Sequence, residues 1–354
     1  IGEHTDYNGG FVLPGAIDKA MYCEIKPNGT DKIRAYALDL EKSAEFGLNE
    51  EDKPEDQWAC YIFGVVREMQ KKGKTIPGFD IVISGDVPLG AGMSSSAALE
   101  SAVGYALNDQ FNLGLTRPEI AVVGQMTEHH YVGVNCGIMD QFASCLGKEG
   151  SLIRLDCRSL EYEYVPFHPE GYRLVLINTC VAHNLAAGGE YNKRRQSCEA
   201  VVAEIAKTHP EVKLLRDADM AMLEAVKDNV DPVDYQRALF VVGEIQRLLD
   251  ACDALNKDDY ETVGQKMYET HEGLSKLYEV SCPELDFLID QAKKFGVTGA
   301  RVMGGGFGGC TINLVKDEKY DDFVKGATAA YEQEFNIKPK TYDVVIKDGA
   351  RKLD

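Results

Sequence analysis

Polar and apolar residues alternate in short, strand-like runs near the start of this 354-residue chain. The runs FVLPGAI, AMYCEIK and KIRAYAL, between positions 11 and 40, are separated by proline, asparagine and glycine, which predicts strands joined by turns. An acidic stretch, 41–56, then intervenes. From Gln57 to Lys72 apolar residues recur at helical spacing, which predicts a helix with one apolar face.

The next segment combines a strand, a loop and a helix. The strand is predicted from Asp80 to Ser84, the loop from Gly85 to Gly92, and the helix opens at Ser94. This order of elements is typical of phosphate-binding sites, because the amides at a helix N-terminus point toward the anion.

A capping box predicts the start of another helix. Thr116 and Glu119 have the capping spacing, and Pro118 lies in the first turn. The helix is predicted to run to about Tyr131, before Gly133 stops it.

The remaining pattern predicts an α+β fold in two lobes that divide near residue 170. Residues 1–170 are predicted to form a lobe with a mixed β-sheet. The last strands of this lobe are predicted at 152–155, 162–165 and 173–178. Residues 171–354 form a helix-rich α/β lobe. Its helices are predicted over Glu190–Lys207, Pro232–Ala254, Asp258–Tyr278 and Pro283–Phe295, with strands near 301–303, 311–315 and 341–345 and a helix between the last two.

Composition narrows the possible functions. The apolar fraction of 44% and the charged fraction of 27% are typical of a globular protein. A formal charge of -19 argues against nucleic acid or an anionic membrane as a partner. The ten cysteines form no C-x-x-C pair, no apolar run approaches about 18 residues, and no signal peptide is evident, so we expect a cytoplasmic protein with reduced thiols.

The strongest local motif is PLGAGMSSSAALE, from Pro88 to Glu100. Gly90 and Gly92 let the backbone approach a ligand closely, and the serines can cap the following helix. A hydroxyl just inside the helix can also bind the Mg²⁺ that a nucleotide carries. The motif lacks the Gly-Lys-Ser/Thr of a Walker A loop, and a tight turn capped by serine is the alternative interpretation.

Two carboxylates follow. On the helix from Pro118, Glu128 shares one stripe with Ile120 and Gly124, so it would face the interior, where Mg²⁺ could neutralise it and Gly124 would leave room for a ligand. A solvated Glu128 on a rotated helix is the alternative. Asp140 either caps a helix or accepts the proton of a hydroxyl that attacks phosphorus.

Three further features complete the candidate set. Glu3, His4 and Asp6 are suited to binding sugar hydroxyls, although a frayed chain end is an alternative. Five glycines among residues 304–309 indicate close backbone contact with another loop or a ligand. Tyr191 opens a helix and is either a surface ring or a sugar contact.

The segments EHTDYNGG, PLGAGMSSSA and GGGFGGC, in this order, resemble the three motifs of the GHMP small-molecule kinases. That family includes galactokinase, homoserine kinase, mevalonate kinase and phosphomevalonate kinase, and the first motif is similar to that of the galactokinases. The resemblance extends over essentially the whole chain. It implies a two-lobed GHMP-kinase fold with the active site between the lobes, ATP and Mg²⁺ as cofactors, D-galactose as substrate, and a monomer.

The resemblance also implies roles for individual residues. Asp140 corresponds to the acid that faces the C1 hydroxyl, and Ser96 and Glu128 correspond to the Mg²⁺ ligands. The other implied roles fall into three groups. Sugar contacts are implied for Glu3, His4, Asp6, Gly137, Asp140 and Tyr191, phosphate contacts for Gly90, Ala91, Gly92, Met93, Ser94, Ser95 and Ser96, and an aromatic wall near adenine for Trp58 and Tyr61.

The implied reaction is phosphorylation of D-galactose at its C1 hydroxyl by ATP. N-acetylgalactosamine or arabinose is an alternative substrate, and a non-catalytic galactose- and ATP-binding sensor is an alternative class. Sensors of this family lack the Ser-Ala pair that Ser96 and Ala97 supply here, which favours the enzyme. The family also carries an arginine and a strand upstream of the EHTD segment, and we expect both before Ile1.

Overall fold

The structure is a computed structural model and describes residues 1–88, 90–181 and 189–353. The chain divides into two compact units that are interleaved along the sequence. Unit 1 comprises Ile1–Pro14, Leu89–Met93 and Gly150–Val345, and unit 2 comprises Gly15–Pro88, Ser94–Glu149 and Ile346–Asp354.

Unit 2 contains a four-stranded sheet in the order β2-β5-β3-β4, with β3 and β5 parallel and the other pairs antiparallel. Alternate residues of β3 and β5 are buried, among them Ile33 and Ile81, so one face of the sheet lies in the core. The strands are β2 Met21–Pro27, β3 Lys32–Ala37, β4 Lys42–Gly47 and β5 Phe79–Gly85. The helices are α1 Gln57–Lys71, α2 Ser95–Gln110, α3 Arg117–Thr127 and α4 Met139–Leu146.

Unit 1 contains a three-stranded sheet, β1-β6-β7, and a four-stranded antiparallel sheet, β11-β8-β10-β9. Its strands are β1 Phe11–Val12, β6 Ser151–Asp156, β7 Tyr162–Pro166, β8 Tyr172–Asn178, β9 Gly299–Val302, β10 Cys310–Lys316 and β11 Lys340–Val344. Its helices are α5 Glu190–Ile205, α6 Met220–Val226, α7 Pro232–Leu255, α8 Tyr260–Lys276, α9 Pro283–Lys294 and α10 Asp317–Phe335.

Two apolar clusters hold unit 1 together. In one, α9 and α10 cover the larger sheet, and Phe323 and Tyr331 are fully buried against its strands. In the other, α5, α6, α7 and the end of α8 enclose a core that includes Phe240 and Tyr278. Burial of large apolar side chains such as these supplies most of the favourable free energy of folding.

The helices begin and end close to their predicted limits, because local signals set them. The capping box of Thr116 and Glu119 forms as predicted at the start of α3. The prediction of one continuous helix to Tyr131 is wrong, since α3 ends at Thr127 and Glu128–Val132 forms a π-helical turn. Gly133 then closes the turn with a φ of 88°.

Two elements lie where the sequence pattern predicted none. Strand β4 occupies part of the acidic stretch, and its polar, largely exposed residues gave no apolar alternation. Helix α6 is only seven residues long. The division into two lobes near residue 170 stays a prediction. The two compact units have other boundaries, because residues 1–14 pack with the second half of the chain.

Among the described residues, no helix is both long and apolar enough to span a lipid bilayer.

Candidate active site

The serine turn joins the glycine loop to helix α2. Gly90 and Gly92 adopt φ values of 70° and 75°, and Ser94 follows in the left-handed region at 54°. A Cβ at Gly90 would meet no atom within 4 Å. The helix begins at Ser95, one residue after its predicted start, and Ser94 is its N-cap. The free amides in the first turn of a helix can bind an anion.

Asp140 lies in the first turn of α4. Its Oδ2 accepts a hydrogen bond of 2.5 Å from the Ser94 hydroxyl. The N-cap of α4 is Ile138, so Asp140 does not have the capping position that was the alternative interpretation. The positive end of the helix dipole favours the ionised form of a carboxyl group at this position.

Glu128 opens the π-helical turn and is only 6% exposed, so the alternative of a solvated side chain is wrong. Burial raises the pKa of Glu128 to about 7, repulsion by Asp140 acts in the same direction, and a hydrogen bond from Ser96 opposes both. A carboxylate buried in this way gains stability from a cation.

Sequence reasoning missed Glu100, which lies on α2 and is almost fully buried. Its Oε2 accepts a hydrogen bond of 3.1 Å from Gln141, whereas its Oε1 has no hydrogen-bond partner among the described residues. Burial and repulsion by Glu128 raise its pKa well above the usual value for glutamic acid. The available signal was its spacing, since Glu100 follows Ser96 by four residues on one helix face.

Gly124 does not leave the free space that was predicted beside it. A Cβ at this position would lie 2.9 Å from Cγ of Gln141 and 3.0 Å from Oε2 of Glu100. These two side chains therefore fill the space, and the small residue is needed for protein packing.

The two residues of α1 that were predicted to lie near adenine have different surroundings. The hydroxyl of Tyr61 shares a hydrogen bond with Ser96, and burial together with the charges of Glu128 and Glu100 raises its pKa. The indole nitrogen of Trp58 is buried and has no hydrogen-bond partner among the described residues. Tyr61 thus holds Ser96 through a hydrogen bond, whereas the indole N–H of Trp58 is a hydrogen-bond donor without an acceptor among the described residues.

The donor set of unit 2 fits a hard divalent cation. Ser96 offers a hydroxyl and Glu128 a carboxylate, and both are oxygen ligands that Mg²⁺ accepts. No ion pair among the described residues includes Glu100 or Glu128. The described residues hold no group of three or more His, Cys, Asp and Glu suited to a metal, so a Mg²⁺ ion here would need further ligands such as phosphate oxygens.

In unit 1, Glu3 is buried at 2% exposure and forms an ion pair with Arg301. Burial by itself raises the pKa of Glu3, yet the net pKa is lowered because the Arg301 guanidinium stabilises the carboxylate. Arg301 comes from strand β9, near the far end of the chain. Glu3 is therefore an ionised group with a permanent protein cation.

His4 is 3% exposed, and both ring nitrogens have protein partners. Nδ1 lies 2.8 Å from the hydroxyl of Tyr7, and Nε2 lies 3.1 Å from the carbonyl oxygen of Gly305. Burial lowers the pKa of His4 to about 4, so the ring is neutral at pH 7. Its sugar-binding role stays a prediction, which these contacts do not favour.

Asp6 and Tyr191 lie on neighbouring elements of unit 1. Asp6 begins a short 3₁₀ turn, and its Oδ1 accepts a 3.0 Å hydrogen bond from the amide of Tyr7. Tyr191 lies in the first turn of α5, with its ring centroid 5.2 Å from His4 and 5.6 Å from Tyr7. Tyr191 is buried, so it is no surface ring.

The predicted close contact of the glycine cluster with another loop is confirmed. A Cβ on Gly309 would lie 3.0 Å from the carbonyl oxygen of Ala91 and 3.4 Å from the amide of Gly92. Gly309 also has a φ of 79°, which favours glycine. The third motif thus packs directly against the glycine loop of the PLGAGMSSSA motif. In unit 2, Gly137 is buried and immediately precedes the N-cap of α4.

Three protein families match the chain. Residues 1–27 match the galactokinase galactose-binding signature, residues 60–148 match the GHMP kinases N terminal domain, and residues 251–331 match the GHMP kinases C terminal family.

Two relatives that align with the whole chain point to the same family as the family models. The chain is 41% identical to a galactokinase of Clostridium acetobutylicum, covering 100% of this chain and 92% of the relative. It is 38% identical to a galactokinase of Thermosipho africanus, with 100% and 97% covered.

The solved structure of Lactococcus lactis galactokinase complexed with galactose superimposes with a TM-score of 0.95 at 35% identity, covering 100% of this chain and 92% of that one. A mevalonate kinase structure, with a TM-score of 0.63 and 23% identity over 98% and 96% of the two chains, shares the fold. The glycine loop, the buried carboxylates and residues 3–6, called the sugar segment below, thus lie in a chain that belongs to the galactokinase family of the GHMP kinases.

Proposed function

We propose that the protein transfers the γ-phosphoryl group of ATP to the C1 hydroxyl of D-galactose, giving galactose 1-phosphate and ADP. The observation that carries this proposal is the pairing of Asp140 with Ser94 beside the Ser96–Glu128 contact, in a chain that begins with the galactose-binding signature.

Asp140 is the proposed general base. As the C1 oxygen forms its bond to the γ-phosphorus and the bond to the ADP oxygen breaks, the C1 hydroxyl proton passes to the Asp140 carboxylate. The hydrogen bond from Ser94 holds this carboxylate in one orientation before the sugar arrives.

The glycine loop from Gly90 to Met93, with the first turn of α2, binds the phosphates through backbone amides. Ser96 and Glu128 would hold Mg²⁺. When bound, Mg²⁺ neutralises phosphate charge. Ser95 and Ser94 complete the phosphate contacts that the family resemblance implies.

The sugar contacts are those that the resemblance implies, and contacts within unit 1 support some of them. Asp6 has a carboxylate oxygen on a short, well-defined turn, and Tyr191 is held by neighbouring rings. Glu3 keeps one oxygen, Oε2, without a hydrogen-bond partner among the described residues. Gly137 remains a predicted sugar contact, whereas the protein contacts of the His4 ring do not favour this role for its side chain.

Trp58 is the better supported of the two predicted adenine contacts. Its buried indole N–H has no hydrogen-bond partner among the described residues, so an acceptor on a base would satisfy it. Tyr61 acts on the metal site through Ser96 in this proposal.

A coupled ADP-release assay with a panel of sugars tests the function. We expect galactose-dependent turnover that falls by about 10² to 10⁴ in Asp140→Asn, the range for loss of a general base. Asp109→Asn, at the exposed end of α2, is a matched control and should retain activity. Preference for N-acetylgalactosamine or arabinose, or calorimetric galactose binding without turnover, would overturn the proposal. A cytoplasmic monomer remains the predicted state.

A further inference from the structure

A closed ring of hydrogen bonds surrounds His4 in unit 1, and the proposed chemistry uses none of its hydroxyl or thiol groups. The Tyr7 hydroxyl lies 2.7 Å from that of Tyr278, whose oxygen lies 3.4 Å from Sγ of Cys198. The Asn8 amide donates to that sulfur at 3.6 Å and to the carbonyl oxygen of His4 at 2.9 Å. The ring therefore begins and ends on one residue of the sugar segment.

The donors of this ring follow from the carbonyl oxygen of Gly305, which lies outside the ring and contacts Nε2 of His4. The carbonyl oxygen of Gly305 can only accept, so Nε2 of neutral His4 carries the proton and Nδ1 accepts from Tyr7. The oxygen of Tyr7 then accepts from Tyr278, and that of Tyr278 accepts from the Cys198 thiol. One tautomer of His4 thus satisfies every member.

The backbone at His4 needs this support. Its φ of 64° is unusual for a residue with a side chain, and such conformations persist where surrounding contacts hold them. Neighbouring residues carry the predicted sugar-binding carboxylates of Glu3 and Asp6. A change in the orientation of His4 would therefore be transmitted to both.

The ring also reaches the third glycine motif. Arg194 donates to the carbonyl oxygens of Tyr278 and Glu279 and lies 5.0 Å over the ring of Phe307. The Phe307 amide donates to the carbonyl oxygen of Val280 at 2.7 Å. The segment after α8 is thus joined to the glycine motif on one side and to His4 on the other.

We propose that Tyr7 and Tyr278 are positioning residues which, through His4, lock the sugar segment to the glycine motif at Gly305. His4 is then an internal support whose side chain contacts no sugar. The kinetic part of this inference rests on the proposed function, because it assumes that residues 3 to 6 bind the sugar.

Isosteric variants test the inference. We expect Tyr7→Phe and Tyr278→Phe to raise the KM for galactose about three- to tenfold, the effect of one lost hydrogen bond, with kcat and the KM for ATP nearly unchanged. The double variant should be little worse than either single variant, since one ring is broken in each case. Tyr260→Phe is the matched control, because it removes from a buried tyrosine a hydroxyl that accepts a hydrogen bond from the amide of His168.

Cys198 supplies a rescue test. Cys198→Ser keeps a donor for Tyr278 and should retain the wild-type KM for galactose, whereas Cys198→Ala should raise it as Tyr278→Phe does. Additive losses in the double variant, an unchanged KM, or equal effects of the serine and alanine variants would overturn the inference.

Hydrogen exchange on the free enzyme separates this inference from the proposed function. Tyr278→Phe should speed amide exchange in peptides that cover residues 1–10 and 303–310, and Tyr260→Phe should not. If wild-type protein fails to phosphorylate galactose while only Tyr278→Phe shows the faster exchange, the proposed function is refuted and the ring is supported. Unchanged exchange in both peptides refutes the ring.

Discussion

Two buried carboxylate sites of this protein are stabilised in opposite ways. Glu3, in unit 1, has a protein cation, Arg301, and its pKa is lowered despite complete burial. Glu128, in unit 2, has no ion-pair partner among the described residues, and its pKa is raised to about 7. One carboxylate has its counter-charge in the free protein, whereas the other has none among the described residues and would be neutralised by the proposed Mg²⁺.

This difference matches the ligands that the two sites are proposed to take. A sugar is uncharged, so the carboxylates that bind it must be held in place by the protein itself. Mg²⁺ comes with two positive charges, and a protein cation beside Glu128 would compete with it. The absence of an ion-pair partner for Glu128 among the described residues therefore agrees with its proposed role as a Mg²⁺ ligand.

The largest expected effect comes from removing the protein cation. Arg301→Met removes the guanidinium that stabilises the buried Glu3 carboxylate, which should lower the free energy of unfolding at pH 7 by about 3 to 5 kcal/mol. The double variant Glu3→Gln/Arg301→Met should recover much of this loss, because the buried carboxylate is then removed together with its partner. Denaturant unfolding measures both. Equal losses in the single and double variants would show that Arg301 acts through packing alone.

Removing the carboxylate at the other site should affect activity and leave the fold intact. Glu128→Gln should reduce kcat by about 10² to 10³, the range for loss of one group that stabilises transition-state charge, and should raise the Mg²⁺ concentration needed for half-maximal rate. The free protein should unfold at pH 8 no more easily than wild type. An unchanged Mg²⁺ dependence would remove Glu128 from the metal site.

The two regions should also respond to pH with opposite signs. Because burial lowers the pKa of His4 from 6.5 to about 4, the stability that His4 contributes is present above pH 6.5 and is lost as pH falls toward 4. Because burial raises the pKa of Glu128 from 4.5 to about 7, its contribution is present below pH 4.5 and is lost as pH rises through 7. Across each of these two pH ranges, the free energy of unfolding should change by at most about 3 kcal/mol.

Unfolding free energies of wild type, His4→Asn and Glu128→Gln between pH 4 and 8 isolate the two contributions. Asparagine tolerates the left-handed backbone at position 4, so the comparison is not dominated by strain. Mg²⁺ with ATP should abolish the Glu128 window, since a bound cation keeps the carboxylate charged. Two windows of the same sign would contradict the comparison.

Local signals made part of this picture predictable from the sequence. The serine turn, the capping box at Thr116 and the inward direction of Glu128 depend on residues a few positions apart, so spacing alone indicated them. The contact of the glycine cluster with the glycine loop was predicted only as contact with some loop or ligand. Its partner, Ala91, is known only from the fold.

The remaining features depend on contacts between distant segments. Arg301 is 298 residues from Glu3, and Tyr278 is 271 residues from Tyr7, so no local pattern could pair them. The π-helical turn at Glu128 has no sequence signal of its own in this chain. Glu100 could have been suspected from its spacing to Ser96, but its burial beside Glu128 is a tertiary fact.

The smallest expected effects come from a pair of helix glycines, one in each unit. Gly124→Ala would place a Cβ 2.9 Å from Cγ of Gln141 and 3.0 Å from Oε2 of Glu100, so overpacking should cost about 1 to 3 kcal/mol. Gly243→Ala, in α7, would meet only atoms at 3.7 Å or more and should stabilise the protein by about 0.5 to 1 kcal/mol. Thermal unfolding measures both changes. Stabilisation by Gly124→Ala would mean that Gln141 and Glu100 move aside readily, and the carboxylates of unit 2 would then lack the rigid packing on which the contrast with Glu3 depends.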